Sequence, residues 1–173
     1  MTPAPGRECG DCSMCCKLPE IAELAKPAGV WCKNVAHGKG CKIYDERPGS
    51  CRAFHCWWQL DPQLGPEWKP DKSKFMIWRN GSGGWIISVD PGNPNAWRQP
   101  QYIRSLRLLA AQIAETGQPL LVFNRTKATC ILPDRDVELP PLKDGQAIAV
   151  TMQNIAARTH YDVVILDPAP PAA

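Results

Sequence analysis

The placement of the cysteines constrains this chain more than any other feature. Eight of the nine lie in the first third, at Cys9, Cys12, Cys15, Cys16, Cys32, Cys41, Cys51 and Cys56, and Cys130 stands alone. The first four sit inside a single ten-residue stretch, "CGDCSMCCKL", with Cys15 and Cys16 adjacent. So many thiols in so short a segment must be cross-linked, must hold a single zinc ion, or must build a multi-thiolate centre. Each outcome implies a different fold for residues 9–58.

A disulfide scaffold is the weakest of these readings. The N-terminus, "MTPAPGRE", lacks a basic segment followed by an apolar one, so it does not read as a secretory signal. The expected compartment is the cytoplasm, where structural disulfides are rare. A chain of 173 residues with 44% hydrophobic residues can bury a core without covalent help. Neighbouring cysteines also pair with each other only under strain.

Metal ligation fits better, because thiolates are soft ligands for Zn²⁺, Cu(I) and iron–sulfur clusters. A simple zinc ribbon wants two Cys-x-x-Cys knuckles, and only the first half of that pattern is present. Cys9, Cys12 and Cys15 match the first three positions of a bacterial ferredoxin run, without its fourth Cys-Pro. The eight thiols also suffice for two four-thiolate metals or for a polynuclear zinc cluster. Charge supports ligation. Residues 1–60 hold eight Lys/Arg and six Asp/Glu. Eight bare thiolates would drive that segment strongly negative and would reprotonate unless a cation offset them. The segment is therefore expected to order around its metal.

The run "CxxCxxCC" followed by "CKIYDERPGSCRAFHC" resembles the YkgJ-type cysteine-cluster family, whose members are described as zinc- or iron-chelating domains. The resemblance covers residues 9–56 and rests on Cys9, Cys12, Cys15, Cys16, Cys32, Cys41, Tyr44, Arg47, Pro48, Cys51, Arg52, Phe54 and Cys56. It implies that the eight cysteines chelate zinc or iron, with an iron–sulfur cluster as one form. Flagellin lysine methylases carry a similar cluster, so an iron–sulfur enzyme, or an accessory to a protein-modifying enzyme, stands as the alternative. No glycine-rich loop for a dinucleotide or for S-adenosylmethionine is identifiable here, and methylation is not carried over. Beside the thiols, Arg47 and Arg52 are placed to offset charge and to donate to sulfur or to backbone carbonyls. Tyr44 is expected to pack near the site with its hydroxyl available. Trp31, Trp57 and Trp58 flank Cys32 and Cys56 and are read either as a shield against water or as plain core. His37 and His55 are secondary ligand candidates. Cys130, in an apolar strand, is read as core.

The remainder reads as an ordinary folded body. Residues 1–8 are expected to be a loose tail and 59–73 a Pro-rich connector. Inside the Cys-rich segment, "PEIAELAKPAG" (19–29) reads as a short helix stopped by Pro27 and Gly29. "KFMIW" and "GWIISVD" around "RNGSGG" form a hairpin. "PGNPNAWRQP" reads as a solvated loop. "QYIRSLRLLAAQIAETG" (101–117) is the clearest helix, with a stripe of Tyr102, Leu106, Leu109 and Ile113 and a stop at Gly117. Arg104 and Arg107 lie off that stripe. "PLLVFNR" and "ATCILPD" suggest a second hairpin, and 147–153 and 162–166 further strands. The tail from 168 to 173 reads as disordered. These elements add up to an α+β fold: a small Cys-rich metal-binding module at 9–58, then an α+β body at 74–167 with hairpins and one long helix.

Composition narrows the partners. The net charge is +3 with no basic run, so nucleic acid is not expected. No apolar stretch reaches membrane-spanning length, so no membrane is expected either. No G-x-S-x-G, H-E-x-x-H or phosphate-binding loop occurs, and no catalytic residue is assigned. The expected partners are metal ions, and the sequence points to no particular protein.

Overall fold

A computed structural model describes residues 2–81 and 83–168 and has an α+β fold. Its centre is a five-stranded sheet of β3 (Phe75–Arg79), β4 (Trp85–Val89), β5 (Leu120–Asn124), β6 (Lys127–Ile131) and β7 (Asp136–Glu138), in that order. Both predicted hairpins form, as β3–β4 and β5–β6. Strands β4 and β5 are parallel, so the chain between them must cross over. The single long helix, α4 (Pro100–Ala114), makes that crossing. Pro100 sits in its first turn, where its missing N–H costs nothing. Gly117, at φ +72°, turns the chain out of it.

Side chains alternate across the sheet, and the two faces have different covers. Phe75, Ile77, Ile87, Val89, Leu120, Val122 and Ile131 point to one side and meet Tyr102, Leu106, Ala110 and Ile113 of α4. The helix stripe packs as its periodicity predicts, with Leu109 at the margin. Trp97 is buried in the same core, so 90–98 is not the solvated loop expected from its Gly, Pro and Asn content. Arg107 likewise has partners. It donates to the Leu132 carbonyl and to the Asp136 carboxylate, which Arg98 also reaches.

Cysteine-rich residues cover part of the opposite face. Met76 and Trp78 of β3 pack against Met14, Leu18 and Cys56, joined by Cys12, Cys15, Phe54 and Trp58. A second cluster on that side joins Ile86, Leu121, Cys130, Leu132 and Val150. Val150 belongs to a long antiparallel arm of β8 (Ala147–Ile155) and β9 (Arg158–Leu166). Both were expected as shorter strands. Ala156 and Ala157, at φ +49° and +62°, form the two-residue turn that joins them.

The Cys-rich segment contains little regular structure. It has a minimal hairpin of β1 (Val35–Ala36) and β2 (Gly40–Cys41), one turn of helix α1 (Gly49–Ala53), and α2 (Trp57–Leu60) at its end. The helix expected over 19–29 does not form. Only a 3₁₀ turn at Ala22–Leu24 is present, closed by paired hydrogen bonds between Ile21 and Lys26. Pro27 biases Lys26 to extended backbone, and Ala25, at φ +47°, already turns the chain out of a right-handed helix.

Two expected linkers prove ordered. Residues 59–73 carry a 3₁₀ turn at Pro66–Trp68 and a short helix, α3 (Pro70–Ser73). Trp68 stacks edge-on against Phe75 and Tyr102, whose hydroxyl donates to the Glu67 carbonyl. Residues 2–8 are pinned rather than loose. The Ala4 amide donates to Gln59, and Arg7 donates to the carbonyls of Pro62 and Leu64 over the Trp58 ring. Apart from Pro168, the expected disordered tail lies outside the described residues. Among the described residues no helix is long and apolar enough to cross a membrane.

Candidate metal centre

All nine cysteines are free thiols. Cys130 is fully buried in β6, and burial pushes its thiol up to about 12, as suits a core residue. Seven of the other eight gather into two groups that meet at Cys15 and Cys16.

The first group lies against the sheet. The Cys12 amide closes a turn on the Cys9 carbonyl. The buried Gln59 side chain joins Cys9 to Cys56: its amide donates to Cys9 Sγ at 3.1 Å, and Cys56 Sγ donates to its carbonyl oxygen at 3.8 Å. Cys56 and Cys15 each feel the charges of Cys9 and Cys12. Burial raises Cys12 and pushes Cys56 up to about 11. Burial also raises Cys9, against the opposing charges of Lys69 and Arg47. Neutral thiols are the resting form of this group without a cation.

The second group surrounds a buried lysine. Lys26 is only 5% exposed, and its ammonium donates to the carbonyls of Lys17, Pro19 and Pro27. All three N–H bonds are thereby satisfied. Burial lowers its pKa, while Cys32, Cys16, Cys51 and Cys15 act in the opposite direction. The Cys32 amide donates to the Cys16 carbonyl at 2.8 Å, and the Asn34 amide donates to Cys32 Sγ. Glu23 accepts from the Ser50 amide and hydroxyl, which fastens α1, and with it Cys51, to this loop.

Cys15 and Cys16 are unequal although adjacent. The Cys15 thiol donates to Cys16, which raises Cys15 and lowers Cys16. The Lys26 charge lowers Cys16 further, against the effect of burial. Cys16 is thereby held below its ordinary value, at about 7.

Other candidate residues are placed as follows. Cys41 sits half-buried on β2, opposite Val35. Arg52 donates to the backbone carbonyls of Arg47 and Asp45. Arg47 lies over the ring of an exposed Tyr44, at 3.9 Å from its centroid. The three Trp residues diverge. Trp58 packs with Cys12, Cys15 and Cys56, Trp57 turns to Trp85 and the helix-side core, and Trp31 lies at the surface against His37. His55 Nδ1 and Asp71 Oδ1 are buried with no hydrogen-bond partner.

Among the described residues, no three Cys, His, Asp or Glu side chains converge closely enough to hold an ion as they stand. The donor chemistry nonetheless suits a thiophilic divalent metal, with clustered sulfurs, N–H donors to sulfur from Gln59 and Asn34, and a compensating cation in Lys26. Two of these participants, Lys26 and Gln59, carry no sequence signal. Each is an isolated polar residue in a stretch that reads as helix or connector.

The group is tied to the body. Lys17 forms an ion pair of 2.6 Å with Asp90, which also accepts from the Gly92 amide and from Asn93. Gly29, at φ +73°, lies so close to Pro91 and Arg125 that a β-carbon there would meet Pro91 at 2.7 Å. A cleft of about 460 Å³ opens between Leu18, Pro19, Trp78, Ile86, Phe123 and Leu142. No cysteine lines it.

Compared with protein-family models, curated proteins and solved structures, the chain shows no match.

Proposed function

We propose that this protein binds zinc or iron, the latter as ions or as an iron–sulfur cluster, through the cysteines of its first third. The observation that carries this reading is the packing of Cys12, Cys15 and Cys56 together over Met76, with Gln59 joining Cys56 to Cys9 and a fully hydrogen-bonded Lys26 ammonium buried in the adjoining loop. A buried lysine is costly and is retained where it neutralises something. Protonated thiols give it nothing to neutralise, whereas metal thiolates do. The resemblance to the YkgJ-type family points the same way. Cys9, Cys12, Cys15, Cys16, Cys32, Cys51 and Cys56 would hold the metal, and Cys41 would have to swing in from its hairpin to join them.

The test is metal and acid-labile sulfide analysis of protein purified without oxygen. Zinc alone gives a colourless protein, and iron with sulfide gives a brown one. Protein free of both metals under these conditions overturns the proposal.

A further inference from the structure

The Cys-rich segment covers only part of its sheet face, and the cleft lies where that cover stops. Its volume of about 460 Å³ falls in the range of small-molecule sites, about 300–1,000 Å³. The apolar lining comes from three parts of the chain: Leu18 from the Cys-rich loop, Trp78, Ile86 and Phe123 from β3, β4 and β5, and Leu142 from the segment before β8. Trp78 is held in place, because its indole N–H donates to Ser88 Oγ at 2.9 Å and its ring tilts against Phe54. The charged residues of the lining are Arg125 and Glu20, and they form no ion pair with each other. Arg125 begins the two-residue turn between β5 and β6 at φ +56°. That left-handed backbone strains any residue with a branched or bulky side chain and suits Asn or Gly. The Arg125 stem runs along Gly29, where a β-carbon would come within 3.0 Å of Arg125 Cγ. Among the described residues its guanidinium has no hydrogen-bond or ion-pair partner, which leaves five N–H donors for another molecule. Strain kept at a turn, under a cation that the fold does not use, points to a role in binding.

We infer that this cleft binds a small aromatic monocarboxylate, with its ring packed on Trp78 and Phe123 and its carboxylate paired with Arg125. Aromatic walls favour an aromatic body, through offset or edge-on ring contacts. A guanidinium matches a carboxylate with two parallel N–H bonds, and the apolar lining strengthens that pair by excluding water. Glu20 disfavours a second negative charge in the cleft, so the class is a monocarboxylate and not a dicarboxylate or a phosphate ester. The site is distinct from the thiols and does not depend on the metal-binding reading.

The test is calorimetric titration of the full-length protein with naphthoate, with its neutral amide and with naphthylmethylammonium, as wild type, Arg125→Gly and Arg125→Lys. Wild-type protein should bind naphthoate more tightly than either of the other probes. Arg125→Gly removes the charge and relieves the turn. It should keep or raise the thermal midpoint while naphthoate affinity falls about 10–100-fold, the loss expected for a hydrogen bond between charged groups. Arg125→Lys should recover part of that loss, because it restores the charge without the paired donors. An Arg125 that served only the turn would leave affinity unmoved in both variants. Wild-type protein that does not bind naphthoate overturns the inference. So does binding of the amide or the ammonium as tight as that of naphthoate, or an Arg125→Gly variant that keeps the wild-type affinity.

Discussion

Replacing Lys26 by Met tests whether the buried ammonium serves the thiols. The substitution keeps the length of the stem and removes the charge. It leaves the carbonyls of Lys17, Pro19 and Pro27 without their donor. Hydrogen bonds from a charged donor contribute about 1.5–3 kcal/mol each, so three of them set a gross loss of several kcal/mol. Two effects oppose it: methionine needs no desolvation of a charge, and its apolar burial contributes about 1.5–3 kcal/mol. Removing one partner from a buried charged network has a net cost of about 3–5 kcal/mol, and we expect about 3 kcal/mol here. With a urea dependence of about 2 kcal/mol per molar, the unfolding midpoint of metal-loaded protein should fall by about 1.5 M. A second effect follows from the charge. Loading replaces neutral thiols by a negative metal–thiolate centre, which Lys26 stabilises relative to the empty site. Competition with a chelator should therefore show weaker metal binding in Lys26→Met, by about tenfold for each 1.4 kcal/mol of lost attraction. A midpoint shift below about 0.5 M together with unchanged metal affinity would refute the reasoning.

Three further outcomes are expected. Asp90→Asn should loosen the Cys-rich segment from the body and cost about 1–3 kcal/mol, read as faster proteolysis after Lys17. Burial works against the Asp90 charge but is outweighed by the hydrogen bond from Lys17 and by the Gly92 amide, so its pKa is lowered. Because the folded value lies below the unfolded one, this contribution is present above the ordinary carboxylate range and is lost as pH falls through the lowered value; Asp90→Asn should flatten that acid limb of a stability titration. Cys15→Ser and Cys16→Ser should lower bound metal by unequal amounts, since the hydrogen bond between them raises Cys15 and lowers Cys16, and metal content unchanged in both variants would count against the shared pair. Ala156→Asn with Ala157→Gly should stabilise the β8–β9 arm by about 1–2 kcal/mol, because alanine pays for a left-handed backbone that Asn-Gly adopts readily; a thermal midpoint that does not rise would contradict this.

The same turn shows why only part of the fold was legible in the sequence. Strands β3, β4, β5 and β6 and helix α4 announce themselves through local periodicity and turn residues, and Cys130 through its apolar strand. The β8–β9 arm hides its turn, because Ala-Ala carries none of the Asn-Gly signal that its backbone calls for. Trp97 was misread for a related reason. Its flanking Gly, Pro and Asn do form a turn, but that turn folds inward over the sheet. In the candidate site, cysteine spacing identified the thiols and gave no information on which of them meet. That grouping is set by contacts between residues far apart in the chain: Gln59 with Cys9, and Ser50 with Glu23.

Those distant contacts also bear on what the metal would do for the rest of the molecule. Met76 and Trp78 lie on the strand that begins the sheet, and their side chains form the floor beneath Cys12, Cys15 and Cys56. Lys17, beside Cys16, pairs with Asp90, which follows β4, the partner of that strand. The proposed centre is thus built partly from the body and is not a bead strung before it. Ligands that bind only the folded form stabilise it in proportion to the logarithm of their free concentration over Kd. A cation held by the thiols packed on Met76 and Trp78 would therefore act on the β3–β4 edge of the sheet as well as on the loops around it. The opposite edge, β6–β7, is tied by Arg107 and Arg98 to Asp136. Metal dependence should accordingly be steepest at β3 and shallowest at β7, a gradient that a self-contained Cys-rich module would not produce.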